Sequence, residues 1–270
     1  QTLSRISRRL KTSVPVSVRV NPEIDPKTHP YITTGLRKNK FGVLWKDARD
    51  LYREMSREPF LEVRGISSHI GSQILDVAPF IDAVDSLREM IRDLAAEGMH
   101  LTHLDIGGGL GITYKDELPP HPEEYAAVIA SRLQGSGLTL IMEPGRVLVG
   151  NSGIFVTKLL YVKKSGGKTF YVVDGAMNDL VRPSLYNAYP EIFPVKNENT
   201  NKVEVDIVGP ICESGDFLAK DREIVELKRG DLLAVKGAGG FISQNQARTV
   251  DQRTCNRHAL LLSAGKLVGT

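Results

Sequence analysis

The chain has 270 residues, of which 41% are hydrophobic and 25% are charged, a composition typical of a globular protein with one large or two medium domains. With 35 basic and 32 acidic residues, the net charge is only +3, which argues against a nucleic-acid or membrane-surface partner. Two cysteines, Cys212 and Cys255, provide no disulfide framework and indicate a cytoplasmic location, and no stretch predicts a signal peptide or a membrane span.

Strands and helices are predicted to alternate along the first half of the chain. Runs rich in β-branched or apolar residues predict strands at 14–21, 60–69, 101–107 and 138–145. Apolar residues spaced at about 3.6 residues predict helices at 43–55, 79–98 and 122–133.

The helix predicted at 79–98 has the most regular pattern. Its C-cap is predicted at Gly98. Its buried stripe is predicted to consist of Phe80, Val84, Leu87, Ile91 and Leu94.

Four successive strand and helix steps predict parallel strands, in an open doubly wound sheet or in part of a (β/α)8 barrel. A complete barrel needs about 250 residues, so a barrel requires that half of it is absent from this chain. After residue 151 the pattern changes to short β-rich runs separated by Gly, Asn and Pro, which predicts a mostly antiparallel β domain over 152–270. These runs are GIFVTKLLYVKK, KTFYVVDG, KVEVDIVGP and DLLAVKG.

Polar and glycine-rich stretches follow the ends of the four predicted strands. They are NPEID (21–25), SSHIGSQ (67–73), GGGLG (107–111) and EPGR (143–146). Because the carboxyl ends of parallel strands lie at one edge of a sheet, these loops are expected to converge on an active site.

The residue types in these loops suit a phosphorylated aromatic base. The glycines, Ser72 and Arg146 could bind a phosphate, Glu143 could hold a proton on a ring nitrogen, and His69 could stack on the ring. This set favours pyridoxal phosphate over a nucleotide. Taken singly, His69 could be a core histidine, Ser72 a helix cap, and Glu143 with Arg146 a local ion pair.

Longer stretches of the sequence resemble the diaminopimelate decarboxylase branch of the fold-III pyridoxal-phosphate decarboxylases, whose relatives include alanine racemase and ornithine decarboxylase. The similarity runs from about residue 10 to about residue 241. The strings that carry it are RVNPEIDPKTHPYITTGLRKNKFGV, SSHIGSQ, LDIGGGLG, EPGRVLVGNSG, VDGAMNDLVRPSLYNAYPEI and VGPICESGDFLA. The resemblance implies the C-terminal half of an alanine-racemase-like (β/α)8 barrel over 1–151, a β domain over 152–270, and a homodimer with shared active sites.

The resemblance also implies roles for individual residues, and it includes no metal site. The cofactor-binding residues would be His69, Ser72, Gly107, Gly108, Gly109, Glu143, Gly145 and Arg146. The glycine amides would contact the phosphate. Arg146, Arg182 and Tyr186 would bind the carboxylates of an amino-acid substrate. Cys212 would donate a proton after carbon dioxide leaves, and Glu213 would recognise the distal amino group, both acting from the partner subunit.

Two departures from the family pattern leave other interpretations open. No stretch matches the strand that carries the family's Schiff-base lysine, so the chain is expected to begin at the fifth barrel strand, and Lys236 is interpreted as structural. After residue 241 the sequence lacks the tyrosine that closes the site in the family. The alternatives are a decarboxylase of another diamino acid and a catalytically inactive chain that binds the cofactor or a full-length subunit.

Overall fold

A computed structural model describes residues 1–26, 40–196 and 200–238. The string HPYITTG, Cys255 and the divergent segment after residue 241 lie outside these ranges. The chain divides into two compact units. The first comprises Gln1–Gly111 and Leu118–Pro144, and the second comprises Ile112–Glu117 and the residues from Gly145 onward. Among the residues described, no helix is both long and apolar enough to cross a bilayer.

The first unit is built on a parallel sheet with helices in the connections between strands. In chain order its elements are α1 (Thr2–Leu10), β1 (Val14–Asn21), β2 (Val43–Leu44), α2 (Trp45–Met55), β3 (Leu61–Ser67), α3 (Ala78–Ala96), β4 (His103–Asp105), α4 (Pro122–Leu133) and β5 (Thr139–Ile141). The strands lie in the order β2-β1-β3-β4-β5, and every pair is parallel. The four strands predicted from the sequence are thus neighbours in chain order. This is the winding of a (β/α)8 barrel, whereas a doubly wound sheet reverses its strand order.

Helices α3 and α4 confirm the predictions made from periodicity. Phe80, Val84, Leu87 and Leu94 are buried along α3, whereas Ile91 is only half-buried. The rings of Phe80 and Tyr125 pack edge to face with centroids 4.7 Å apart, which joins α3 to α4.

The helix predicted at 43–55 begins later than its apolar pattern suggests. Val43 and Leu44 form the short strand β2, which pairs in parallel with Val20 and Asn21 of β1. Helix α2 then starts at Trp45. Pairing with a distant strand therefore overrides the local helical period at these two positions.

The second unit is a six-stranded sheet that confirms the predicted β domain. Its elements are α5 (Arg146–Val149), a short 3₁₀ helix (Gly150–Ser152), β6 (Ile154–Ser165), β7 (Lys168–Val173), α6 (Arg182–Tyr186), β8 (Ile192–Pro194), β9 (Lys202–Val208), β10 (Phe217–Val225) and β11 (Leu232–Lys236). The strand order is β10-β9-β7-β6-β11-β8, and all pairs are antiparallel except β7 with β9. The core of this unit includes Leu159, Tyr171, Ile207, Leu218 and Leu233.

Candidate active site

In the first unit, backbone hydrogen bonds join the loops that follow β3, β4 and β5. Ile74 and Leu110 form an isolated parallel bridge, in which the Ile74 N–H donates to the Gly109 carbonyl at 3.0 Å. The Glu143 N–H donates to the Gly107 carbonyl at 2.7 Å. The predicted convergence of these loops is therefore present as direct contacts at the carboxyl edge of the sheet.

The three consecutive glycines allow this close packing. Gly107 has a φ of +68° and Gly109 a φ of +119°, both in the region that side chains disfavour. A Cβ on Gly108 would overlap the Glu143 carbonyl, and one on Gly109 would overlap the Gly71 carbonyl. Glycine is thus required here by neighbouring backbone, whatever else binds at the loop.

Two of the three glycine amides make hydrogen bonds within the protein. The Gly107 N–H donates to Asp105 Oδ1 at 2.8 Å, and the Gly108 N–H donates to His69 Nδ1 at 3.1 Å. Among the described residues, the Gly109 N–H is the one of the three with no acceptor. Gly109 is therefore the amide of the triplet best able to contact a phosphate.

The Gly108 contact fixes the state of the His69 imidazole. Because Nδ1 accepts a hydrogen bond, the ring proton lies on Nε2 and the ring is neutral. Burial lowers the pKa of His69, and the positive charge of Arg19 lowers it further. A neutral imidazole of this kind presents a flat face for stacking.

Sequence reasoning missed Arg19 and Asp105. An Arg19 guanidinium nitrogen lies 3.5 Å from the His69 carbonyl oxygen. Burial raises the pKa of Asp105, the Gly107 hydrogen bond lowers it, and the charge of Glu143 raises it. Both residues sit near the carboxyl ends of their strands, and charged residues at the ends of otherwise apolar strands were the available signal.

The two serines of the loop after β3 differ in their surroundings. Ser68 is 3% exposed, and its hydroxyl has no partner among the described residues. Ser72 is half-buried and does not cap the following helix, since Val77 is the N-cap of α3 and Asp76 Oδ1 accepts the Ala78 N–H. Ser72 thus remains in the loop, next to the glycine contacts.

The second unit contains the predicted substrate-binding arginine in a buried aromatic setting. Arg182 is 6% exposed, and its guanidinium carbon lies 4.5 Å from the ring centroid of Tyr114 and 5.5 Å from that of Tyr186. The guanidinium carbon of Arg146 lies 5.9 Å from the centroid of the same Tyr114 ring. Burial lowers the pKa of Arg182, and the nearby charge of Arg146 lowers it further. Two guanidinium groups close together form a site suited to carboxylates.

Cys212 and Glu213 lie on an exposed loop of the second unit, between β9 and β10. This loop is tied to α6, because the Ser184 hydroxyl donates to the Gly215 carbonyl at 2.5 Å. The helix that carries Arg182 and Tyr186 and the loop that carries Cys212 and Glu213 are therefore linked within one chain.

Lys236 occupies a surface position at the end of β11. Its Nζ lies 2.8 Å from Glu191 Oε2, and both side chains are more than half exposed. This setting agrees with the structural role given to Lys236. None of the four loops 21–25, 67–73, 107–111 and 143–146 contains a lysine.

The structure thus brings His69, Gly107, Gly108, Gly109 and Glu143 together in the first unit, with Ser72 in the same loop as His69. The remaining predicted residues belong to the second unit. They are Gly145, Arg146, Arg182, Tyr186, Cys212 and Glu213.

Comparison with known proteins identifies the family. Residues 1–150 match the family described as pyridoxal-dependent decarboxylase, pyridoxal binding domain. The chain belongs to this family.

Individual pyridoxal-dependent decarboxylases are similar over most of the chain. The diaminopimelate decarboxylase of Vibrio cholerae is 49% identical over 242 residues, which cover 89% of this chain and 58% of the relative. That of Pseudomonas aeruginosa is 46% identical, with 92% and 60% covered. The crystal structure of the Helicobacter pylori enzyme complexed with L-lysine is 41% identical, has a TM-score of 0.84, and is matched over 92% of this chain and 63% of that one. The chain therefore spans about three-fifths of the length of these decarboxylases.

The residues of the first unit fit the cofactor that the family name implies. A neutral imidazole, a carboxylate and an amide that has no acceptor in the described ranges lie at one edge of the sheet, in His69, Glu143 and Gly109. The buried Ser68 hydroxyl adds a polar atom without a partner among the described residues. These are groups that can contact the face, the ring nitrogen and the phosphate of a pyridoxal phosphate molecule.

Proposed function

We propose that this chain carries part of the active site of a diaminopimelate decarboxylase, which converts meso-2,6-diaminopimelate to L-lysine and carbon dioxide with pyridoxal 5′-phosphate as cofactor. The single observation that carries the proposal is the position of Gly108. Its N–H donates to His69 Nδ1, and a Cβ at this position would overlap the Glu143 carbonyl. The three loops thereby meet where a pyridine ring needs both a stacking face and a carboxylate. The similarity to diaminopimelate decarboxylases supports the choice of substrate.

In this proposal the first unit holds the cofactor ring. His69 stacks on the ring in its neutral form, and Glu143 keeps the ring nitrogen protonated. Ser72 and the Gly109 amide bind the phosphate, while Gly107 and Gly108 hold the loop in shape. When bound, pyridoxal 5′-phosphate supplies the electron sink that accepts the electrons left by the departing carbon dioxide.

The second unit recognises the substrate in the same proposal. Arg182 and Tyr186, with Arg146, bind carboxylate, which a guanidinium does through two parallel hydrogen bonds. Glu213 binds the distal ammonium, and Cys212 donates the proton that replaces the lost carboxylate. We propose further that the protein is a cytoplasmic homodimer, in which Cys212 and Glu213 of one subunit serve the site of the other.

Because the four loops contain no lysine and Lys236 is paired with Glu191, we expect this chain to bind the cofactor without a covalent bond. We accordingly expect little release of carbon dioxide from the chain by itself. Ligand binding is therefore the appropriate test of the proposal.

The first experiment measures binding of pyridoxal 5′-phosphate by absorbance and fluorescence titration. Replacing Glu143 with Gln should weaken binding about tenfold, because the carboxylate that stabilises the ring proton is lost. The matched control Glu89→Gln, at an exposed position of α3, should leave binding unchanged. Absence of binding by the unmodified chain would contradict the proposed cofactor site.

The second experiment compares meso-diaminopimelate with L-lysine and L-ornithine as ligands of the cofactor-loaded chain. We expect tighter binding of meso-diaminopimelate, which has a second carboxylate, and we expect Arg182→Met to remove this preference. Equal binding of all three in the unmodified chain would favour a decarboxylase of another diamino acid.

A further inference from the structure

Asp216 is a buried carboxylate at the base of the loop that carries Cys212 and Glu213. It is 3% exposed and lies immediately before β10. A buried carboxylate is costly unless hydrogen bonds compensate for the lost water. The groups that donate hydrogen bonds to Asp216 therefore indicate its structural role.

Both carboxylate oxygens of Asp216 accept backbone N–H groups from two different loops. Oδ2 accepts the Ile211 N–H at 2.7 Å, from the residue directly before Cys212. Oδ1 accepts the Met177 N–H at 2.7 Å, from the turn that leads into α6. One side chain thus joins the loop of Cys212 to the segment that leads to Arg182.

The backbone of Asp216 closes the same loop from the other side. The Gly209 N–H donates to the Asp216 carbonyl at 3.1 Å, and the Asp216 N–H donates to the Glu213 carbonyl at 3.0 Å. A Cβ on Gly209 would overlap the carboxylate of Asp216. The loop from Gly209 to Asp216 is therefore folded closely around this side chain.

We propose that Asp216 is a positioning residue, which fixes Cys212 and Glu213 relative to the α6 segment that carries Arg182 and Tyr186. The inference rests on the proposed function for the roles of these four residues, whereas the contacts of Asp216 are independent of it. Through its two oxygens, Asp216 joins the loop of Cys212 and Glu213, which in the proposed homodimer serve one site, to the segment of Arg182, which serves the other.

The test uses the full chain with Cys255→Ser, labelled at Cys212 with a trifluoromethyl group. We expect one narrow fluorine resonance in the parent, and several or broadened resonances in Asp216→Ala. Amide hydrogen exchange at Ile211 and Met177 should accelerate about tenfold or more, because both amides lose a charged acceptor. Asp216→Asn retains one acceptor oxygen and should leave one of the two amides protected.

Two further variants keep the result interpretable. Gly209→Ala retains Asp216, but the added Cβ displaces its carboxylate. This variant should therefore give the same fluorine spectrum as Asp216→Ala. Asp206→Ala removes another buried carboxylate of the second unit, which lies on β9 and accepts the Asp221 N–H at 2.7 Å. It should leave the Cys212 resonance and the exchange at Ile211 unchanged. The inference is overturned if Asp206→Ala has the same effect as Asp216→Ala, or if the Cys212 resonance is identical in the parent and in both loop variants.

Ligand binding separates this inference from the proposed function. If the parent binds meso-diaminopimelate more tightly than pimelate, which lacks both amino groups, Asp216→Ala should reduce that preference about tenfold. A parent that binds neither compound contradicts the proposed function, and the fluorine and exchange results then decide the role of Asp216 alone.

Discussion

Replacing Gly108 with Ala tests the packing of the glycine loop directly. The added Cβ would overlap the carbonyl of Glu143, which is backbone and cannot rotate away. Overpacking of this kind costs about 1–3 kcal/mol, and loss of the hydrogen bond to His69 adds about 1 kcal/mol. Alanine also reduces the freedom of the unfolded chain, which returns about 0.4–1 kcal/mol. We therefore expect a net loss of about 1–4 kcal/mol in the free energy of unfolding.

The assay is urea unfolding followed by circular dichroism and by the fluorescence of Trp45. Trp45 is the single tryptophan of the chain and begins α2, so its signal reports on the first unit. Glu89→Ala is the control, because Glu89 is an exposed position of α3 in the same unit. A Gly108→Ala variant that unfolds at the same urea concentration as the parent would refute the steric argument.

Three further predictions follow from other contacts. As the pH falls through about 6.5, the free energy of unfolding should decrease, because His69 takes up a proton in the unfolded chain while burial and Arg19 keep its folded-state pKa lower. In urea titrations at several pH values, His69→Gln should flatten this dependence, and an unchanged slope would contradict the prediction. Phe80→Ala should cost about 3–5 kcal/mol, because the ring is 2% exposed and packs on Tyr125; a loss below about 1 kcal/mol would show that the ring is not part of the core. Lys236→Ala should cost less than about 1 kcal/mol, because its ion pair is exposed, and it should leave pyridoxal 5′-phosphate binding unchanged; loss of cofactor absorbance in this variant would overturn its structural role.

Local signals were sufficient to predict the main helices. Helix α4 begins at Pro122 and ends at Leu133, as predicted, because proline suits the first turn and the apolar period continues to the end. Periodicity also identified most of the buried face of α3. Such signals depend only on residues a few positions apart, so they can be recognised without knowledge of the tertiary contacts.

Contacts between distant residues were beyond this kind of reasoning. Val43 and Leu44 continue an apolar helical pattern, yet they pair with β1. Their structure depends on a partner strand that a local pattern does not identify. Helix α1 was missed for a different reason, because Leu3, Ile6 and Leu10 do follow a helical spacing that the prediction overlooked.

The candidate site shows the same division. The position of polar loops after parallel strands predicted that His69, the glycines and Glu143 would meet, because strand ends of one direction share an edge. The sequence could not show that the Gly108 amide is used by His69, which lies 39 positions away. The role of Asp216 was missed for a similar reason, since its partner Met177 is equally remote in sequence.

The short segment Ile112–Glu117 has a practical consequence for dissecting the molecule. It is flanked on both sides by residues of the first unit, yet its Tyr114 packs with Arg146, Arg182 and Gly237 of the second. A truncated chain that ended at Pro144 would keep Tyr114 but lack Arg146 and Arg182, the two arginines against which its ring packs. Separate expression of the two units therefore requires that residues 112–117 be replaced in the first unit or joined to the second.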